Sequence, residues 1–85
     1  MQTLTFKESA VSIYIFPDEE TVIVGDSHTV VGDPPKFVIS DCNSNNAALY
    51  AGVTPPDDWI GHKYLFDGTT WVPNLAYVPP NPIGV

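Results

Sequence analysis

Proline and glycine cut this chain into short pieces. Its 85 residues include nine prolines and six glycines, most of them clustered between apolar runs of a few residues. Proline lacks the N–H that a helix interior or a central strand must donate, and glycine favours turns. The pattern therefore predicts short elements joined by many turns.

The residues between these breaks favour strands over helices. Val, Ile, Thr and the aromatic residues number 33, whereas Ala, Leu, Met, Glu, Lys and Gln together number 17. β-Branched and aromatic side chains fit a pleated sheet better than a helix. We predict one all-β domain over residues 1–74, a small antiparallel sandwich or partly open barrel of five to seven short strands. An extended proline-rich C-terminal arm should follow over residues 75–85.

Turn residues place the strands and join some of them into hairpins. We expect strands at 10–16, 21–25, 28–31, 36–40, 47–51, 63–66 and 69–72. The first two should form a hairpin, because the segment 17–20 between them is rich in turn-forming residues. Asp67 and Gly68 should close the last pair as a two-residue loop with Tyr64 opposite Trp71, unless a glycine bulge shifts that register by one residue.

Charge limits the partners of this protein. Ten carboxylates against three lysines give a net charge of −7, and no arginine is present to hold a phosphate. Such a field repels nucleic acid and anionic lipid headgroups. The apolar runs are far shorter than the roughly 20 residues of a membrane helix. Residues 1–6 lack the features of a secretion signal, so we expect a cytoplasmic protein that binds neither nucleic acid nor membrane.

No sequence pattern predicts a catalytic or metal site, and no cofactor is expected. Asp26, Ser27 and His28 are consecutive, so their side chains project alternately and favour a turn over a hydrolytic triad. Cys42 is the only cysteine, and with two distant histidines it does not supply the roughly four ligands of a zinc site. Calcium binding by the acidic turns is left open, at residues Asp18, Glu19, Glu20, Asp57, Asp58 and Asp67.

Four aromatic residues within nineteen positions are the candidate ligand-binding residues: Trp59, Tyr64, Trp71 and Tyr77. Rings spaced in this way can form a flat platform on which a sugar or a peptide stacks. The alternative is burial in the core or at a subunit interface. A small domain must bury large side chains to fold, and each aromatic ring buries about 150 to 250 Å².

The segment 55–71, PPDDWIGHKYLFDGTTW, resembles segments of small proteins without an assigned function and of virion-associated modules from marine tailed phages, especially those that infect cyanobacteria. The segment 38–43, VISDCN, is similar to the same group. The resemblance implies a viral source and a structural or host-interaction role, and it implies no catalytic residues. The order Trp, Gly, Tyr, Gly, Trp is also similar to small sugar-binding modules of bacterial chitinases and phage tail proteins.

Together these features predict a non-enzymatic protein that acts by association, in a phage particle or against a host component in the cytoplasm of the infected cell. One alternative is a small carbohydrate-binding module that uses the aromatic platform. A further alternative is an acidic inhibitor that mimics nucleic acid. We also expect a homo-oligomer, because Val11, Ile13 and Ile15 alternate with Tyr14 and Phe16, so that both faces of one strand are apolar and need cover.

Overall fold

The structure, a computed structural model, describes residues 1–78 as strands joined by turns, with no helix among them. The strands are β1 (Gln2–Phe6), β2 (Ser12–Phe16), β3 (Val22–Val24), β4 (Thr29–Val31), β5 (Phe37–Ile39), β6 (Ala47–Tyr50), β7 (Tyr64–Phe66) and β8 (Trp71–Pro73). The predicted all-β class is confirmed for this part of the chain.

Two three-stranded antiparallel sheets share one hydrophobic core. Their strand orders are β2–β1–β6 and β3–β4–β5, and the two-stranded hairpin β7–β8 stands beside the first. Apolar side chains from both sheets meet in the core, whose buried members are Leu4, Ile13, Phe16, Val31, Ile39, Cys42 and Ala47. Within residues 1–78 this small antiparallel architecture uses eight strands, one more than the upper limit predicted from the sequence.

The eighth strand is β1, which is absent from the expected strands. It takes the central place in its sheet, with β2 on one side and β6 on the other. Leu4 is fully buried in the core, and the neighbouring Thr3 and Thr5 are buried as well. Alternation of threonine with an apolar residue over 3–6 is the period-two signal that identifies this strand in the sequence.

The hairpin expected between residues 10–16 and 21–25 is wrong. β2 pairs with β1, and β3 pairs with β4. In the turn between them the Glu20 N–H donates to the Pro17 carbonyl, and the side-chain amide of Gln2 donates to the carbonyls of both residues. β1 pairs with one edge of β2, and Gln2 of β1 holds the turn at 17–20. The chain therefore passes from the first sheet to the second at this turn.

β2 does not keep the strict period of two expected of it. The register of β1 and β2 shifts within the pair, and Ile13 is left without a cross-strand partner. This β-bulge interrupts the alternation of the strand. As a result Ile13 and Phe16, expected on opposite faces, both join the core, whereas Tyr14 is exposed.

The Asp-Gly hairpin forms, but its loop is longer than expected. Phe66 lies opposite Trp71 and Tyr64 lies opposite Pro73, so residues 67–70 make a four-residue loop. The expected pairing of Tyr64 with Trp71 is therefore wrong. Both rings lie on one face of the hairpin, but diagonally to each other instead of directly across.

The side chain of Asp67 explains this loop. Its carboxylate accepts hydrogen bonds from the backbone N–H groups of Thr69 and Thr70, both at 2.8 Å. These bonds keep the two threonines inside the loop, where a two-residue turn would place them in the strand. Gly68 adopts a φ of 106°, which a residue with a side chain rarely takes.

The hairpin β7–β8 is attached to the free edge of β2. Val11 and Leu65 form an isolated antiparallel bridge, and the Phe66 N–H donates to the Ala10 carbonyl at 2.8 Å. These contacts fix the hairpin against the first sheet. Its aromatic side chains are therefore presented from a supported element.

After β8 the chain makes a turn in which the Tyr77 N–H donates to the Asn74 carbonyl at 3.0 Å. The boundary predicted after residue 74 stays a prediction, and residues 79–85 of the expected arm lie outside the described residues. No helix in residues 1–78 is long and apolar enough to cross a membrane.

Candidate functional site

Trp59 is held by the interior through its indole N–H. Its Nε1 donates to Ser12 Oγ at 2.9 Å, and that oxygen lies 2.7 Å from Thr3 Oγ1, which donates to the Tyr14 carbonyl at 2.9 Å. Since the Thr3 proton goes to the carbonyl, the Ser12 proton goes to Thr3. The hydrogen bonds form one chain with a fixed direction, and the Trp59 N–H is occupied.

Tyr64 belongs to an exposed charged cluster. Its hydroxyl donates to Asp58 Oδ1 at 2.6 Å, and Lys63 Nζ lies 2.9 Å from Asp58 Oδ2. The Tyr64 hydroxyl and then the Lys63 ammonium lower the pKa of the Asp58 carboxyl. In return, hydrogen bonding to Asp58 raises the pKa of both Tyr64 and Lys63, because it stabilises their protonated forms. The polar end of Tyr64 is thus already engaged.

Tyr77 lies in a different place from Trp71. Tyr77 lines a shallow cleft of about 420 Å³ together with His62 and Asn74. The Asn74 side-chain amide donates to the His62 carbonyl at 2.8 Å, which ties the two sides of this cleft together. Tyr77 and Trp71 therefore line different clefts, and a role for each of the four candidate aromatic residues in ligand binding stays a prediction.

Trp71 lines a separate cleft of about 340 Å³, which we call the Trp71 cleft. Its wall on one side is the segment 51–54, and its wall on the other side is the hairpin around Phe66, Gly68, Thr69 and Trp71. The Trp71 ring is half-buried, with its centroid 4.5 Å from that of Phe66. No charged side chain lines this cleft among the described residues.

The outward face of the second sheet is apolar. Ile23 pairs with Val30, and Val30 pairs with Val38, so the three side chains form one row across the sheet. Ile23 is 57% exposed and Val38 is 55% exposed. We call these three residues the outer row. Sequence reasoning missed it, although β3, β4 and β5 each carry apolar residues at adjacent positions, which is the signal of a strand that is apolar on both faces.

The catalytic candidates are not assembled into a relay. Ser27 Oγ lies 3.0 Å from His28 Nδ1 in an exposed turn, and Asp26 makes no hydrogen bond to that histidine within residues 1–78. Cys42 is buried, and desolvation followed by the Asp41 charge raises the pKa of its thiol. A raised pKa disfavours the thiolate that a nucleophile requires.

The acidic turns hold parts of the chain together. The Asp18 carboxylate accepts hydrogen bonds from the Gly52 N–H and from the amino group of Met1, and these bonds lower its pKa. Glu20 forms an ion pair with Lys36 at 2.9 Å. In the part of the chain that the structure describes, no three His, Cys, Asp or Glu side chains are grouped to hold a metal ion.

A cleft of about 630 Å³ lies beside the β1–β2 turn and is lined by Lys7 and Asn46, among others. Both side chains donate within the protein, Lys7 to the Ser44 carbonyl at 2.7 Å and Asn46 to the Asp41 carbonyl at 2.9 Å. Their hydrogen bonds hold the loop after β5 in place, so they serve the fold.

Comparison with protein-family models, with curated proteins and with solved structures finds no match to this chain.

Proposed function

We propose that this protein acts by association and not by catalysis, and that its contact surface is the outer row of the second sheet. The observation that carries the proposal is the exposure of Ile23 and Val38 beside Val30 on a face that no described segment covers. Contiguous exposed apolar side chains on a small protein favour contact with another molecule. Burial of such side chains is favourable at about 25 cal/mol per Å².

The partner that we propose is a second copy of the chain. A net charge of −7 makes two copies repel each other over most of their surface. None of the ten carboxylates belongs to β3, β4 or β5, so the outer row itself brings no acidic side chain into a contact between two copies. A two-fold arrangement brings the same row of each copy together and closes the assembly.

The setting that we propose is a phage particle or an infected host cell. The support for this setting is the resemblance of the segments 38–43 and 55–71 to small and virion-associated proteins of marine tailed phages. Mass spectrometry of purified particles tests it, because a particle component is retained through purification and a protein that acts on the host is not.

Light scattering on the purified full-length chain tests the self-association. We expect a mass that is a multiple of 9.3 kDa at micromolar concentrations. Val38→Glu should return the mass to 9.3 kDa, because it places a buried charge in each copy at the contact. Val72→Glu is the matched control, since Val72 is 43% exposed on the hairpin and should leave the assembly intact.

A mass of 9.3 kDa for the unchanged chain across the concentration range would refute the proposal. Dissociation by Val72→Glu and not by Val38→Glu would move the contact to the hairpin. If the unchanged chain is a monomer that instead binds another particle or host protein through Val38, then the occupant of the outer row is that protein and not a second copy.

A further inference from the structure

The two tryptophans of this chain differ in what their indole N–H groups do. The N–H of Trp59 is given to Ser12 in the interior. The N–H of Trp71 has no hydrogen-bond partner among residues 1–78. Every buried polar side-chain atom in this part of the chain does have a partner, so the Trp71 N–H is not buried. The Trp71 N–H is therefore accessible to solvent and available to a ligand, whereas that of Trp59 is not.

The Trp71 ring is also held in place before any ligand arrives. It packs on Phe66 with ring centroids 4.5 Å apart, and the Phe66 and Tyr50 rings form an edge-to-face pair with centroids 5.4 Å apart. Gly68 permits this stack, because a Cβ at that position would lie 3.3 Å from the Tyr50 ring. A ring that is already fixed loses little conformational entropy on binding.

The other groups around the ring are neutral and hydroxylated. Thr54 and Thr69 line the Trp71 cleft together with backbone at Gly52. The Thr54 side chain is exposed and makes no hydrogen bond within the described residues. The nearby Asp67 carboxylate accepts three hydrogen bonds from Thr69 and Thr70, all at Oδ1, and one of them uses the Thr69 hydroxyl proton.

We propose that the Trp71 cleft binds a neutral saccharide. A pyranose presents an apolar C–H face to an aromatic ring and hydroxyls around its edge, and this cleft is lined by the fixed Trp71 ring, whose N–H is unused, and by Thr54. An anionic ligand is disfavoured because no cationic side chain lines the cleft and the net charge is −7. The volume of about 340 Å³ is near the lower end of the roughly 300 to 1,000 Å³ of ligand sites, so the ligand is short.

This inference does not depend on self-association. The outer row lies on β3, β4 and β5, whereas the Trp71 cleft lies on the hairpin β7–β8 and the segment after β6. Either surface can fail its test while the other passes.

The test is a titration of the ¹⁵N-labelled full-length protein with cellohexaose, chitohexaose, laminarihexaose and mannohexaose, followed by the two indole N–H resonances in ¹H–¹⁵N spectra. We expect at least one saccharide to shift the Trp71 resonance in a saturable way and to leave that of Trp59 in place. Trp71→Ala should weaken binding by about tenfold or more, through loss of the stacking surface.

Two further variants keep the proposal testable if Trp71→Ala does not fold. Trp71→Phe retains a ring on Phe66 but removes the N–H, and Thr54→Val replaces an exposed hydroxyl with a methyl group. Each should weaken binding by a few-fold. Trp59→Phe is the control, because its N–H is used inside the protein and its loss should leave the affinity unchanged in folded protein.

Three results would overturn the saccharide site. One is the absence of any saturable shift of the Trp71 resonance with all four saccharides. Another is binding to Trp71→Phe and Thr54→Val with the affinity of the unchanged chain. The third is a Trp71 shift that a proline-rich peptide produces and the saccharides do not, which would make the cleft a peptide site.

Discussion

The two three-stranded sheets are built from similar residues but differ in what covers them. In β2–β1–β6 the core packs against Leu4, and Thr3, Thr5 and Ser12 are buried as well, with Trp59 bonded to Ser12. In β3–β4–β5 only the inner side packs on the core, and the outer row is left exposed. The comparison shows that strand-forming residues specify a sheet, whereas the elements packed around it decide which faces become interior.

Four of the five buried polar residues, Gln2, Thr3, Thr5 and Ser12, therefore belong to the first sheet, and the second sheet holds one, Thr29, together with the exposed apolar outer row. A buried hydroxyl is costly unless every hydrogen bond is made, and no buried side-chain polar atom in residues 1–78 lacks a partner. An exposed apolar row has no such requirement. Changes in the first sheet should therefore affect stability, and changes in the outer row should affect association.

Leu4→Ala should have the largest effect on folding. Leu4 is 0% exposed in the central strand, and truncation of a buried leucine costs about 2 to 5 kcal/mol in the free energy of unfolding. Ile23→Ala removes a similar side chain from the outer row and should cost the monomer about 1 kcal/mol or less. Urea denaturation followed by circular dichroism, at a protein concentration low enough for the chain to be a monomer, measures both. Equal losses would show that the two sheets are covered to the same extent.

Ser12→Ala should have the next largest effect. It leaves the Trp59 N–H and the Thr3 hydroxyl without their partner, and an unsatisfied buried polar group costs about 1 to 3 kcal/mol. Ser40→Ala is the control, because Ser40 is exposed and should lose about 0.5 kcal/mol or less.

A double variant separates the hydrogen bond from the packing around Ser12. Trp59→Phe removes the donor, so Ser12→Ala in that background should cost less than it does alone. The same cost in both backgrounds, measured by urea denaturation, would mean that the hydrogen bond from Trp59 does not contribute and that the two sheets differ less than the structure indicates.

The smallest effect on stability is expected from Asp67→Asn in the loop of the hairpin β7–β8, and it should depend on pH. The backbone N–H groups of Thr70 and Thr69 lower the pKa of Asp67 in the folded protein below its ordinary value of 3.8. A lowered pKa in the folded state gives stability that is present above the unfolded pKa and is lost as pH falls through the folded one. Asp67→Asn should therefore lower the melting temperature at pH 7, and the difference from the unchanged chain should shrink below about pH 4.

The charge-matched control for this experiment is Asp57→Asn. Asp57 is exposed and accepts no hydrogen bond from another residue within residues 1–78, so the variant removes a charge without removing a loop contact. Melting curves followed by circular dichroism from pH 7 to pH 2 compare the two. If Asp57→Asn and Asp67→Asn behave alike, net charge and not the loop controls the acid response.

Local patterns in the sequence were sufficient to predict where the strands lie but not which strands pair or in which register. The seven expected strands are all present, because β-branched runs and flanking turns are local properties. The pairing of β2 was assigned to β3 from the turn at 17–20, whereas Gln2, far away in the chain, controls that turn. The register of the last hairpin was assigned from Asp67 and Gly68 alone, and the carboxylate of Asp67 changes it.

The sequence by itself determined an all-β protein of short strands, its acidic charge and the small set of aromatic residues worth examining. Only the tertiary structure decided that the Trp59 N–H is hydrogen-bonded to Ser12 while the Trp71 N–H stays accessible. It also decided that the outer row remains uncovered. The physical reason is range. Strand propensity and charge depend on a residue and its neighbours in the chain, whereas burial and hydrogen-bond partnership depend on contacts such as that between Ser12 and Trp59, 47 positions apart.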